Sequence, residues 1–575
     1  MTDTTLFAAL QRAAAQADNR LGYRYLDRKE RETLQPFASV AEQSSQIANG
    51  LWDRGVRTGD TVAIVLPTGP DFMNVFFACS HIGAIPVPLY PPVRLGRLDE
   101  YYEKTAAMLA VSRAAILITD ARAGKLMGRV LEHTAPPLGM CRVDDVRHDK
   151  PVAPRNTTGD DIAMVQFSSG TTGTPKPVAL KHRHVISNAN AILDKVVHNL
   201  EGPPTGVSWL PLYHDMGLIG CVFPAVLYPG TLTLIPPEVF LTKPAIWLRA
   251  LSDTRSIISP APNFAYALCT ERIRDEDLEG CDLSHWRYAL NGAEPIAPGT
   301  VRAFYERFRT WGLRPEAMTP VYGLSEASLA ITMSDFGGLH KTLHIDRDGL
   351  LNGEIQPKDG GIEITSVGPP LKGFAIEIRE PSGQALPERR VGRLWAKGPS
   401  LMEGYLDGTP PPRVGDWLDT GDIGFIHEGE LYITGRAKDV IVIRGRNHNP
   451  DALESAVNGV EGVRTGCAAA VGDISDEGER VVVFVEQREG DKETFAERCR
   501  QAILAATGID PDLVIPLEPG TLPRTSSGKI RRSEALKRWK QGKLLAPDTV
   551  HAVRVAGAIA RSLWTEWQHR VKNNA

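Results

Sequence analysis

Short apolar runs alternate with amphipathic stretches along the first two thirds of the chain. Residues 61–66 (TVAIVL) read as a buried strand, 71–81 (DFMNVFFACSH) as a helix and 84–89 as a returning strand, together a βαβ unit. Further strands are expected at 114–119, 162–167, 231–235, 256–259 and 288–291. This alternation predicts an α/β fold with a largely parallel sheet covered by helices on both faces. Such sheets bind ligands in loops at the carboxyl ends of their strands. From about Val391 the texture changes: GRLWAKGPSLMEGY and GELYITG read as short strands with glycine turns, suited to a small β-subdomain. Beyond Gly435 and Arg436 come KDVIVIRGRNHNP, a helix from about Asp451, and mixed β and α segments as far as Lys529. The expected organisation is a large N-terminal domain (1–436), a small α+β domain (437–545) and a helical tail (546–575). In the tail Val553, Ala556, Ala560, Leu563 and Trp567 share one helical face, which favours docking on the same chain over a partner.

At 575 residues the chain exceeds what one core supports. Its 42% hydrophobic and 23% charged residues are those of a soluble globular protein. A net charge of −4 provides no field for a polyanion and argues against a nucleic-acid partner. Seven cysteines form no C-x-x-C pair, which excludes a zinc ribbon or disulfide framework and fits a reducing compartment. The N-terminus has no signal-peptide apolar core. The most apolar long stretch, 218–237, is interrupted by glycines and prolines and reads poorly as a transmembrane segment. A cytoplasmic location is expected.

Residues 166–178 (QFSSGTTGTPKPV) carry a strand into a loop of small hydroxyl residues and glycines. Gly170 and Gly173 allow close backbone approach, Ser168, Ser169, Thr171, Thr172 and Thr174 supply donors, and Lys176 adds charge. The spacing is not that of a Walker A loop. On composition alone a phosphate cradle and a flexible serine/threonine loop weigh equally. Residues 291–295 (NGAEP) end a strand in a glycine turn and a carboxylate, shaped for a base to lie against the backbone. Residues 322–326 (YGLSE) place Tyr322, Gly323, Ser325 and Glu326 together, with Glu326 suited to Mg²⁺ and Tyr322 to stacking. Asp422, in TGD, suits a ribose diol. A second glycine/hydroxyl loop, 520–532 (GTLPRTSSGKIRR), carries Lys529. Each alone carries little weight, since an isolated carboxylate is usually a solvated surface group.

In this order the motifs resemble those of the adenylate-forming superfamily: acyl-CoA synthetases, peptide-synthetase adenylation domains and firefly-type luciferases. The match runs from about Phe37 to Arg532. The resemblance implies a small mobile C-terminal domain and an active site between it and the larger domain. It assigns residues 168–176 to the ATP phosphates, Thr171 and Glu326 to Mg²⁺, and Gly292, Ala293, Glu294 and Tyr322 to adenine. Gly323 and Ser325 join the nucleotide site, Asp422 and Arg436 hold the ribose, and Lys529 reaches the acyl carboxylate and α-phosphate. Lys438 takes the hinge position. Glu326, Lys176 and Lys529 are the expected catalytic groups. The acid is already ionised at neutral pH, so the chemistry needs alignment and charge neutralisation and no general base.

Residues 88–92 (PLYPP), 209–220 (WLPLYHDMGLIG), 261–269 (APNFAYALC) and 444–450 (RGRNHNP) look like fatty acyl-AMP ligases, the branch that loads acyl carrier protein. Extra sequence between Ile331 and Ser366 lies where that branch carries an insertion held to hinder the rotation needed for coenzyme A use; the alternative is an ordinary surface loop. Pro177 departs from the family, where glycine is usual, and Lys176 is retained. The resemblance places Tyr213, His214, Met216, Leu218, Ile219, Asn263, Phe264 and Tyr266 at the acyl pocket. Their mostly apolar character suits an alkyl chain, at about 0.8 kcal/mol per buried methylene. WLPLYHD lacks the aspartate that would meet an amino acid's α-amino group. The expected activity is conversion of a fatty acid to acyl-AMP with ATP and Mg²⁺, then transfer to an acyl carrier protein supplied in trans. Coenzyme A as acceptor is the alternative, and a non-catalytic acyl or nucleotide-binding protein a second.

Overall fold

The computed structural model describes residues 3–92, 98–168, 175–197, 200, 202–443, 446–475, 478–488, 490–525 and 528–546. The expectations for Ser169, Gly170, Thr171, Thr172, Gly173 and Thr174, and for a helix in the tail beyond residue 546, lie outside these residues.

The anticipated βαβ unit is present. Thr61–Val65 and Ile85–Pro88 pair in parallel on either side of the helix Pro70–Ile82. Proline stands in the helix's first turn and Gly83, at φ 71°, ends it in the left-handed conformation. Along the strand, Val62 and Ile64 enter one apolar cluster and Ala63 and Val65 another, so both faces are covered. With Ile116–Thr119 and Met140–Arg142 these strands form a four-stranded, all-parallel sheet. A second sheet has six parallel strands, Met318–Gly323, Tyr288–Asn291, Ile258–Ala261, Thr205–Ser208, Thr231–Leu234 and Gly22–Leu26, edged by antiparallel Ala330–Met333 and Glu32–Pro36. The fold is mixed α/β.

Two strand expectations need correction. The strand expected at 256–259 is Ile258–Ala261. Closure of the helix Ala245–Asp253 takes up the preceding residues: Arg255 has φ 49° and the Ser256 amide donates back to Leu251. The strand Ile162–Phe167 joins neither parallel sheet. It pairs antiparallel with Pro177–Lys181, Phe167 opposite Pro177, because the return after so few residues is too short for a parallel crossover.

Residues 375–436 form a five-stranded antiparallel subdomain built on the long strand Trp417–His427. The extra sequence is folded onto it. Thr342–Ile345 pairs with Ile362–Thr365 around the short helix Arg347–Leu351, and Ile345 and Ile355 pack with Phe425 and Tyr432. Beyond Ile441, the strands Val463–Ser475, Gly478–Gln487 and Leu513–Leu517 carry helices on both faces. Val481, Val483 and Val485 enter one apolar cluster and Val482 and Phe484 another, and both clusters draw only on residues from Ile441 onward. Among the described residues no helix is long and apolar enough to cross a membrane; 218–237 contains two short helices and the strand Thr231–Leu234.

Candidate active site

The carboxyl ends of the parallel strands, the antiparallel subdomain and the C-terminal segment enclose one cleft of about 3140 Å³. At its centre the strand Met318–Gly323 delivers Tyr322, whose hydroxyl donates to Asp422 Oδ2 at 2.6 Å. Arg436 Nε lies 3.0 Å from the other oxygen, Oδ1. Register explains the pair, since Asp422 and Arg436 stand opposite one another on adjacent antiparallel strands. Burial and the adjacent Asp422 raise the Tyr322 phenol well above its usual range, so it remains a donor. Gly323 has to be glycine: a Cβ there would lie 1.7 Å from the Leu329 carbonyl oxygen. Next in the turn, Ser325 donates to Asp215 Oδ2 at 2.5 Å, and Glu326 Oε1 accepts from the Tyr405 hydroxyl at 3.1 Å.

The strand Tyr288–Asn291 brings up the second turn. A Cβ on Gly292 would meet Val321 at 2.6 Å, and Ala293 adopts φ 69° and is exposed to the cleft. The Glu294 carboxylate accepts the Phe264 amide at 2.6 Å, in the first turn of the helix Asn263–Arg272. Its acidic group therefore caps a helix, and burial raises its pKa. Ala293, Glu294 and Pro295 line the cleft with Ala293 at the exposed tip, and Gly292 lies buried behind them.

Across from these, the hairpin base is closed by the Ser168 amide donating to the Lys176 carbonyl at 2.9 Å. The Lys176 ammonium lies 5.0 Å from the centre of the Tyr405 ring. Gln166 donates to the Tyr213 carbonyl at 2.8 Å, tying the hairpin to the start of the helix that carries Met216.

Tyr213, His214, Met216, Asn263 and Phe264 line the cleft. Leu218, Ile219 and Tyr266 do not: all three are fully buried in the packed core. Helical turning carries 218 and 219 away from the face of Met216, and Tyr266 donates to the Leu290 carbonyl at 2.8 Å. These three back the cleft wall and make no part of its surface.

The C-terminal segment closes the site. Lys529 is half-buried in the cleft at the end of a tight turn in which the Thr525 amide donates to the Lys529 carbonyl at 2.8 Å. Arg524 locks that turn by donating to the Gly528 carbonyl at 2.7 Å. Burial, and next the Arg436 guanidinium, lower the Lys529 ammonium below its ordinary range, against the opposing pull of Asp215, Glu294 and Asp422. Lys438 is lowered for the same two leading reasons. Beside it, the Ala437 amide donates to the Gly421 carbonyl at 3.0 Å, and the Asn449 amide group donates to the Thr434 carbonyl. Farther out, Arg538 pairs with Glu100 at 2.8 Å, Arg488 pairs with Glu271, and Arg347 of the extra segment donates to the Ala506 carbonyl.

Sequence reasoning missed the roles of Asp215, Gln166 and Tyr405 as partners of Ser325, Tyr213 and Glu326. Asp215 and Tyr405 stood inside stretches singled out for other reasons, WLPLYHD and GPSLMEGY, and nothing local marks either as a contact of the YGLSE turn.

The profile of the family described as AMP-binding enzyme matches residues 10–406. A putative acyl-CoA synthetase of Caulobacter vibrioides is 35% identical over 531 residues, covering 88% of this chain and 90% of that protein. The long-chain-fatty-acid–AMP ligase FadD26 of Mycobacterium tuberculosis is 32% identical over 577 residues, covering 94% and 98%. A solved structure from work on fatty acyl-adenylate ligases of E. coli and L. pneumophila superposes with a TM-score of 0.88 at 32% identity, covering 94% of this chain and 98% of that one. The chain belongs to the AMP-binding enzyme family.

Proposed function

We propose that this enzyme activates a fatty or similarly apolar carboxylic acid as its acyl-AMP, releasing pyrophosphate, and passes the acyl group to the phosphopantetheine thiol of an acyl carrier protein. The observation that carries the reading is the meeting of Tyr322, Asp422, Arg436 and Lys529 in one cleft, from both the large domain and the C-terminal segment. In it Asp422 and Arg436 hold the ribose, and Tyr322 with Gly292, Ala293 and Glu294 surrounds the base. Ser168, Lys176 and the intervening loop hold the phosphates. The Lys529 ammonium lies between acyl carboxylate and α-phosphate, where it offsets their mutual repulsion. Tyr213, His214, Met216, Asn263 and Phe264 receive the acyl end. The domain division is 1–436, 437–545 and 546–575, with Lys438 at the hinge.

The residues present suit a magnesium ion held through one carboxylate and the substrate's own phosphates, which is how Mg²⁺ is commonly bound. Among the described residues no cluster of three acidic, histidine or cysteine side chains forms a metal site on its own. Glu326 offers one oxygen to Tyr405, and among the described residues its other oxygen has no hydrogen-bond or ion-pair partner. When bound, the ion neutralises phosphate charge. Thr171 is the second proposed ligand.

Acid-dependent exchange of labelled pyrophosphate into ATP tests the adenylation step. Exchange with an apolar acid supports the reading, and its absence across a panel of chain lengths contradicts it. A second reading, transfer to coenzyme A, is favoured by the Caulobacter relative's name. Carrier transfer is preferred because the folded extra segment reaches the C-terminal segment through Arg347 and so opposes its rotation.

A further inference from the structure

Tyr405 was no part of any expected site, yet it lies between two groups of opposite charge on which the proposed reaction depends. The residue as a whole is 6% exposed. The hydroxyl donates to Glu326 Oε1 at 3.1 Å, while the ammonium of Lys176 sits over the ring, 5.0 Å from its centre. The backbone around it is laced to both neighbours. The Met402 amide donates to the Glu326 carbonyl at 2.8 Å, the Leu406 amide donates to the Pro177 carbonyl at 2.8 Å, and Tyr405 itself bridges Val178. A phenol carries its proton at neutral pH, so the Tyr405 hydroxyl donates to the carboxylate.

A carboxylate and an ammonium that share one cleft wall attract one another and tend to pair directly. Such a pair would satisfy Glu326 with Lys176 and leave neither charge for a ligand. Instead the carboxylate meets a hydroxyl and the ammonium a π face, each a weaker partner than the opposite charge. Among the described residues no ion pair between Glu326 and Lys176 is present, and each meets Tyr405 instead.

We propose that Tyr405 is a positioning residue that keeps Glu326 and Lys176 apart, so that the carboxylate stays open to a divalent cation and the ammonium to the anionic phosphates of the same nucleotide. The inference rests on the adenylation reading and deepens it.

The test compares Tyr405→Phe and Tyr405→Leu with the wild-type chain by calorimetry, using two probes. One is a non-hydrolysable ATP analogue, with and without Mg²⁺. The other is an acyl-sulfamoyl adenosine, which mimics the acyl-adenylate and lacks both outer phosphates and metal. Tyr405→Phe keeps the ring and loses the hydroxyl, so the Kd of the analogue with Mg²⁺ should rise about tenfold or more, the worth of one hydrogen bond to a charged group. Without Mg²⁺ the analogue should bind Tyr405→Phe as it binds wild type. Tyr405→Leu loses both contacts and should weaken the analogue with and without Mg²⁺. Both variants should bind the acyl-sulfamoyl adenosine within about twofold of wild type, since that probe reaches neither contact. Equal binding of the magnesium-bound analogue by wild type and Tyr405→Phe would overturn the inference alone. So would an equal loss of both probes, which marks a merely structural ring. Failure of the wild type to bind either probe would overturn the adenylation reading and this inference with it.

Discussion

The Tyr322 hydroxyl donates to Asp422 at 2.6 Å, and the same carboxylate holds Arg436 through its other oxygen. Three elements thus converge on one acid: the last parallel strand of the large sheet and two strands of the antiparallel subdomain. Asp422→Ala strands a buried phenol and a guanidinium and removes the proposed ribose anchor. It should raise the Kd for an ATP analogue about tenfold or more and cost about 2 kcal/mol of stability. Calorimetry and denaturant unfolding measure the two effects separately.

Lys529 is proposed to act in adenylation alone. Lys529→Ala should lower acyl-AMP formation by about 10²–10³-fold, the usual cost of removing one charge-stabilising donor. Transfer from supplied acyl-AMP should stay within about threefold of wild type. The lowered ammonium also sets a pH dependence. The charged form is lost as pH rises through a value below the ordinary lysine pKa of about 10.4, so adenylation should fall on its alkaline side earlier than an exposed lysine would allow. A pH profile of each half-reaction checks this, with the transfer step lacking that limb.

Arg532 is surrounded by three carboxylates, Asp439, Asp451 and Glu454, and one cation cannot neutralise all three. Burial first, and then repulsion from Asp451, push the Glu454 carboxyl up to about 7 against the pull of Arg532. A carboxyl raised on folding binds its proton more tightly in the native state. Its stabilisation is complete below the unfolded value of about 4.3 and disappears as pH rises toward 7. Wild type should therefore lose stability over that window, and Glu454→Gln should flatten the curve there. Thermal melts from pH 4.5 to 8 decide it.

The Glu100–Arg538 pair joins the helix Leu98–Ser112 to the last described helix, Arg532–Lys540; on the proposed domain division it favours the orientation that places Lys529 in the cleft. Both partners are largely covered, so the pair is worth about 1 kcal/mol, roughly a fivefold bias in domain orientation. Glu100→Gln and Arg538→Ala should each raise coenzyme A thioester yield about three- to fivefold. The double variant should add nothing further, since both remove one interaction. Additive gains would show that the two side chains act separately.

The parallel strands were legible because strands buried on both faces read as unbroken apolar runs: Tyr288–Asn291 falls where expected, and Thr61–Val65 within one residue. The same property hid the hairpin, since Ile162–Phe167 is as apolar as a central strand and its antiparallel partner opens on Pro177, a residue that reads as turn. Motif order brought Tyr322, Asp422, Arg436 and Lys529 into view together, although they are spread over some two hundred residues of chain. Tyr405 was illegible for the opposite reason. Its value comes from two contacts across the fold, and in the sequence it is one more aromatic residue of a β-rich stretch. Leu218 and Ile219 were placed at the pocket by the resemblance of the WLPLYHDMGLIG stretch, whereas the helix turns them into the core.

The central claim is adenylate formation followed by hand-off to a carrier. Purified protein with ATP, Mg²⁺ and fatty acids of several lengths is given coenzyme A, a holo acyl carrier protein, or neither, and the products are separated by mass. The account predicts acyl-AMP that persists in the presence of coenzyme A and is consumed when the carrier is added. Rapid acyl-CoA formation with no carrier loading would contradict the hand-off, and no acyl-AMP with any acid would contradict the claim itself.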